Sequence, residues 1–144
     1  MQVSGILKSK GNSTLITVTP DSLVSDAVDL LAEKKIGTVL VSRDGSHPDG
    51  ILSERDVVRA VALHGSEALQ STVDAFMTSK LVTCARGDSS VSVLEKMTEG
   101  RFRHMPVLED GALIGLISVG DVVKARLSEL SLEKDALEGM IMGY

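Results

Sequence analysis

Tryptophan is absent from this 144-residue chain, and Phe76, Phe102 and Tyr144 are its only Phe or Tyr residues. A core built from such a sequence is aliphatic, so a flat ligand ring must lie between Ile, Val, Leu or Met side chains. The single cysteine, Cys84, rules out an intramolecular disulfide, and no Cys/His spacing suggests zinc or another metal. A reducing compartment fits this usage. No apolar run approaches the ~20 residues of a membrane span, and the N-terminus lacks the apolar stretch of roughly 7 to 15 residues found in a secretory signal. The expected location is cytoplasmic, with no membrane partner. Positive charge is scarce too: 15 Lys and Arg stand against 20 Asp and Glu, a net charge of −5, and the basic residues are scattered. Phosphate-backbone affinity needs clustered cations, so a nucleic-acid partner is not expected.

The chain does contain nearly the same statement twice. Gly50-Ile51-Leu52-Ser53-Glu54-Arg55-Asp56-Val57-Val58-Arg59-Ala60 returns as Gly115-Leu116-Ile117-Ser118-Val119-Gly120-Asp121-Val122-Val123-Lys124-Ala125. Upstream, Leu15-Ile16-Thr17-Val18 returns as Leu81-Val82-Thr83-Cys84, and Ala27 to Ile36 parallels Val93 to Phe102. Apolar residues make up 43%, and a chain of this length buries roughly 68% of its unfolded surface, enough for one module without staples. Two half-domains, 1–78 and 79–144, that each bury one face predict a pseudo-twofold cleft with two related pockets.

Each repeat predicts the same order of elements. A short extended segment (Leu15 to Thr19; Leu81 to Ala85) leads to a helix (about Ser25 to Lys35; about Val91 to Arg101). A strand follows (Thr38 to Ser42; His104 to Leu108), then a turn, a second strand (Gly50 to Ser53; Ala112 to Ser118) and a helix opening at the Ser. Val24, Ala27, Val28 and Leu31 form one helical stripe. Glu109-Asp110-Gly111 signals a tight hairpin, and Arg43 to Asp49 a looser one. Residues 66–79 link the halves and predict a short helix with Val73, Phe76 and Met77 on its apolar side. The last helix starts near Val119 and runs past Leu130 to Met140 before Gly143, with Leu127, Leu130, Leu137 and Ile141 near one face. The fold class is α/β (α+β), with small sheets.

Ser53 and Ser118 each close a strand and open a helix. Free backbone N–H groups and the positive end of the helix dipole gather there, which suits a phosphate or a sugar hydroxyl. Three residues on, Asp56 and Asp121 project from the first turn, where a carboxylate can accept hydrogen bonds from the two vicinal hydroxyls of a ribose. The same spacing is also close to a capping box, which needs no ligand. Duplication preserves both caps, but it does not account for Arg55, the paired Thr17 and Thr83, or the basic Arg101-Phe102-Arg103-His104 segment.

With these motifs in register, the chain resembles a cystathionine-β-synthase-type (CBS) domain pair, or Bateman module, over essentially its whole length. The Gly-apolar-apolar-Ser-x-x-Asp ends, Arg103-His104-Met105-Pro106-Val107 and Asp74-Ala75-Phe76-Met77-Thr78 carry the likeness. The stretch Gly50 to Arg59 and the opening Ile6-Leu7-Lys8-Ser9-Lys10-Gly11 resemble small stand-alone bacterial members. The resemblance implies β-α-β-β-α repeats packed through their sheets and an adenosyl ligand (AMP, ADP, ATP, NAD or S-adenosylmethionine) in crossed pockets. One pocket would combine Ser53, Arg55 and Asp56 with Thr83, Arg103, His104, Met105 and Pro106. The other would combine Ser118 and Asp121 with Thr17, Gly37, Thr38 and Val39. Pro106 lacks an N–H and suggests an edge strand with groups left for the base. Gly120 stands where the first repeat has Arg55, and Gly37-Thr38 where the second has Arg103-His104, so the Asp56 pocket is expected to bind AMP or ADP more tightly. Lys8 and Lys10 could approach a phosphate, although surface lysines are commonly just solvated.

The function implied is a non-catalytic regulatory module that senses an adenine nucleotide and changes conformation or association, as a homodimer acting on a regulated protein the sequence does not identify. The alternatives are a structural dimerisation module with empty clefts and a nucleotide hydrolase. Cys84 has no evident base or orienter beside it in the sequence, which argues against a catalytic thiol.

Overall fold

The stripe of Val24, Ala27 and Leu31 folds as α2 (Val24–Lys34), with all three side chains buried. The computed structural model describes residues 1–11 and 15–142; Gly143, expected at the end of the tail, and Tyr144 lie outside the described residues. The remaining elements are α1 (Val3–Ser9), β1 (Thr17–Val18), β2 (Thr38–Val41), β3 (Gly50–Ser53), α3 (Glu54–His64), α4 (Ser90–Gly100), β4 (His104–Glu109), β5 (Ala112–Ser118) and α5 (Val119–Met142).

The chain divides into two compact units. The first holds β1, α2, β2, β3, α3 and the hairpin tip Leu108–Ile114. Its sheet has the order β1-β2-β3, with β1 parallel and β3 antiparallel to β2. The central β2 is buried at every position, as expected of a strand paired on both sides. Val39, Val41, Leu52, Val18, Ala27, Leu31 and Val73 form its aliphatic core, with Phe76 and Met77 against it. In the β2–β3 loop the Asp44 carboxylate accepts the Ser46 and His47 amides at 2.8 Å each, which ties down a turn that reads as loose in sequence.

The linker contains the short helix predicted within residues 66–79, tightened to 3-10 geometry, with Val73 buried and Phe76 and Met77 against the core. It forms two 3-10 segments, Gly65–Gln70 and Val73–Ala75. Its backbone bonds go elsewhere: Val24 N–H donates to the Ser71 carbonyl at 2.9 Å, Val73 N–H to Ser22 at 2.8 Å, and Thr78 N–H to Ile51 at 2.8 Å. The linker thereby closes the start of α2 and pairs with the outer side of β3. Gly50 is required by that approach, since a Cβ there would lie 2.7 Å from Met77 Sδ and 2.9 Å from the Thr78 carbonyl oxygen.

The second unit holds α1, α4, the start of β4, the end of β5, and α5. Here the N-terminal segment does what the linker does in the first. Val3 N–H donates to the Asp88 carbonyl at 2.9 Å, Gln2 bridges Ser89, and a Cβ on Gly115 would lie 2.5 Å from Leu7 Cδ2. So the N-terminal segment, grouped by chain order with the first repeat, packs with the second. The extended segment predicted at Leu81 to Ala85 is reduced to one parallel bridge, Cys84 to Val107. Val3, Ile6, Val93, Met105, Val107, Ile117 and Val122 are buried. Along α5, Val122 and Ala125 are buried, whereas Leu132, Leu137, Met140 and Ile141 are exposed.

Candidate functional site

Both Ser-x-x-Asp sequences fold as strand-to-helix junctions. Ser53 caps α3: its Oγ accepts Asp56 N–H at 3.1 Å, and Asp56 Oδ2 accepts Ser53 N–H at 2.9 Å and the Ser53 hydroxyl at 3.0 Å. At the second junction Asp121 N–H donates to Ser118 Oγ at 3.1 Å, and Ser118 N–H to Asp121 Oδ2 at 2.9 Å. The capping geometry is therefore realised twice, through one carboxylate oxygen each time. Oδ1 of each aspartate is left by the cap for another donor.

The first-turn amides are less open than the sequence suggests. Glu54 N–H donates to the Gly37 carbonyl at 2.9 Å, and Val119 N–H to the Arg103 carbonyl at 2.8 Å. These bonds follow from how the preceding helices end: Lys35 and Arg101 take left-handed backbones, φ 54° and 57°, which turn the chain back past each junction. Within the first unit the structure thus brings Gly37 and Thr38 beside Ser53, and Thr38 is also the register partner of Ser53. Within the second it brings Arg103 beside Val119, next to Ser118.

The other expected site residues sort by burial. Arg55 and Arg103 are exposed, Thr17, Thr83 and His104 half-buried, and Thr38 is buried at the start of β2. Val39 and Met105 are each 0% exposed, so a ligand could meet only their backbone. The Pro106 carbonyl already accepts Cys84 N–H at 3.0 Å, which leaves a base only its second lone pair. Cys84 itself is buried, and burial, with Asp88 nearby, pushes its thiol up to about 11. Its Sγ lies 3.8 Å from the Pro106 carbonyl, which is no general base. Among the described residues no three His, Cys, Asp or Glu side chains gather as a metal site, and no helix is long and apolar enough to cross a membrane.

One interaction was not foreseen. Lys10, just past α1, donates from Nζ to the Leu116 carbonyl at 2.8 Å and pairs with Asp121 Oδ2 at 2.9 Å. Partial burial works to raise the Asp121 pKa, but Lys10 and the Ser118 groups outweigh it and hold the carboxyl below the ordinary aspartate value. A second repeat signal points to this place: Val3, Ile6, Leu7, Ser9 and Lys10 recur at the same spacing as Val73, Phe76, Met77, Ser79 and Lys80. Lys80 makes no such pair with Asp56, whose Oδ2 is held by Ser53 alone.

Residues 11–63 and 73–128 each match the family model for the CBS domain. The chain is 33% identical over 148 residues to the mitochondrial CBS domain-containing protein CBSX3 of Arabidopsis thaliana, covering 98% of this chain and 72% of that one. It spans less than a quarter of two longer plant proteins with CBS domains. Among solved structures it is similar to a CBS-domain containing protein from Agrobacterium tumefaciens, at 45% identity and a TM-score of 0.83, over 88% of this chain and 99% of that one. It is also similar to a CBS domain protein from Pyrobaculum aerophilum complexed with AMP, at 26% identity and a TM-score of 0.78, over 92% and 99% of the two chains.

Proposed function

We propose, since the chain belongs to the CBS domain family and carries that domain twice, that it is a regulatory module binding an adenosyl ligand at its two Ser-Asp junctions. The observation that carries this reading is the paired geometry of Asp56 and Asp121. Each is fixed by its cap with one carboxylate oxygen left over, at a helix start where a ribose diol and a nearby phosphate are both favoured. The AMP complex of the Pyrobaculum protein supports an adenine nucleotide as the ligand class.

In this reading Asp56 holds ribose hydroxyls and Arg55 neutralises phosphate by charge-assisted hydrogen bonds. Thr83, Arg103, His104 and the backbone of Met105 and Pro106 complete the crossed set, as Thr17, Gly37, Thr38 and Val39 do for Ser118 and Asp121. The sites are unequal, with the Asp56 site tighter for AMP or ADP because its set carries two arginines. Binding is not followed by chemistry. A ligand shifts the module's conformation or association only through its differential affinity for the two states. The module works as a cytoplasmic homodimer upon another protein.

The test is thermal unfolding with AMP, ADP, ATP, NAD and S-adenosylmethionine. A true ligand at about 100 times its dissociation constant adds about 2.7 kcal/mol. No shift with any of the five leaves the structural dimerisation reading. Release of ADP from ATP that vanishes in Asp56→Ala would make the module a hydrolase instead.

A further inference from the structure

A ribose that presents both vicinal hydroxyls to a carboxylate needs a lone pair on each oxygen. At both junctions Oδ1 is available, so the difference lies at Oδ2. On Asp56 the second donor to Oδ2 is the Ser53 hydroxyl, a neutral rotor that can turn its hydrogen away at little cost. On Asp121 the second donor is the Lys10 ammonium, held at the same time by the Leu116 carbonyl. Neither partner of this pair is fully exposed: the side chains are 27% and 24% accessible. A ribose hydroxyl that takes over Oδ2 leaves the ammonium without its anion, and hydrogen bonds to charged groups are the costly ones to break. An uncharged adenosyl ligand has nothing to give the lysine in return. A ligand that carries a phosphate re-pairs it, because four methylene groups let Nζ swing to the new anion.

We infer that Lys10 is the specificity-determining residue of the Asp121 junction, admitting adenosine ligands that carry a phosphate and discriminating against uncharged ones. This rests on the ligand-binding reading above and adds the ligand's charge class at one of its two sites. The Asp56 junction, where no ammonium stands on the carboxylate, lacks this filter.

The experiment is isothermal titration of the full chain carrying Asp56→Asn, which confines ribose binding to Asp121, with AMP and with adenosine. AMP should bind at least about tenfold more tightly than adenosine. Adding Lys10→Gln should bring the two within about threefold, chiefly by strengthening adenosine, while Lys10→Arg keeps the wider ratio. Lys8→Gln, which removes a charge two residues earlier in the last turn of α1, should leave the ratio alone. An unchanged ratio in Lys10→Gln, or equal loss of both ligands, overturns the role of Lys10. So does an Asp56→Asn chain that binds neither ligand while the unmodified chain binds AMP. If the unmodified chain binds neither, the ligand-binding reading is what has failed.

Discussion

Ser53 and Asp56 cap one another: the serine hydroxyl accepts the aspartate amide at 3.1 Å while the carboxylate accepts the serine amide at 2.9 Å. The side chain assigned to the ribose is thus also a structural fastener, and the two roles must be separated. Asp56→Ala should lower the unfolding free energy by about 1 kcal/mol through loss of the cap and remove the tighter nucleotide site. Asp56→Asn keeps a cap oxygen and should stay within about 0.5 kcal/mol of the parent. It should nonetheless remove AMP binding at that site, because an amide that keeps its oxygen in the cap turns an NH2 donor rather than an acceptor toward the ribose hydroxyls. Urea melts and titrations on both variants check this.

The repeated glycines predict unequal costs. A methyl at either position meets neighbours too closely, which typically costs about 1–3 kcal/mol. At Gly115 the nearest atoms all belong to the Leu7 side chain, whereas at Gly50 the Thr78 carbonyl oxygen also stands 2.9 Å away. Gly115→Ala should therefore become nearly harmless in a Leu7→Ala background. Gly50→Ala should remain costly even when combined with Met77→Ala, because backbone cannot be trimmed. Double-mutant cycles by chemical denaturation give the answer.

The ion pair of Lys10 and Asp121 predicts an acid signature. A carboxyl whose pKa is lowered by folding stabilises the native state above its unfolded value and loses that stabilisation as pH falls through the folded value. Lys10→Gln removes a cause of the lowering, so its acid unfolding should begin at a higher pH than the parent's. The difference between the two, about 0.5–1 kcal/mol for a partly exposed pair, should be full at pH 6 and shrink below the ordinary aspartate range near 4.

The second half of α5 exposes Leu132, Leu137, Met140 and Ile141. Apolar surface of this kind is what a second copy would cover. Sedimentation should show a dimer for the unmodified chain and a monomer for Leu137→Lys combined with Ile141→Lys. The unfolding of dilute protein should change little between them.

Much of the architecture was legible because it is written twice. β5 was predicted at its observed bounds, and α5 starts where Ser118 ends the strand, since a Ser three residues before Asp is a strong local instruction. The linker's short helix was legible from the spacing of Val73, Phe76 and Met77, but its 3-10 geometry and its anchoring were not, because the Val73 and Asp74 N–H groups are claimed by the Ser22 and Pro20 carbonyls. That competition is tertiary and leaves no periodic trace. Lys10 was visible as a residue but not as a partner of Asp121, because its contacts lie across more than a hundred residues of chain. The kinship of Val3-x-x-Ile6-Leu7 with Val73-x-x-Phe76-Met77 was the available clue, and it is hidden by a different offset from the one that aligns the strands.

The segments that shield Gly50 and Gly115 have a consequence for how the halves depend on each other. The strip that roofs the first repeat lies directly before the second repeat in the chain, and the strip that roofs the second lies directly before the first. The first half therefore carries its own collar, and the second takes its collar from the far end of the chain. A cut at residue 79 would leave the later fragment bareheaded, while the earlier one would carry both collars.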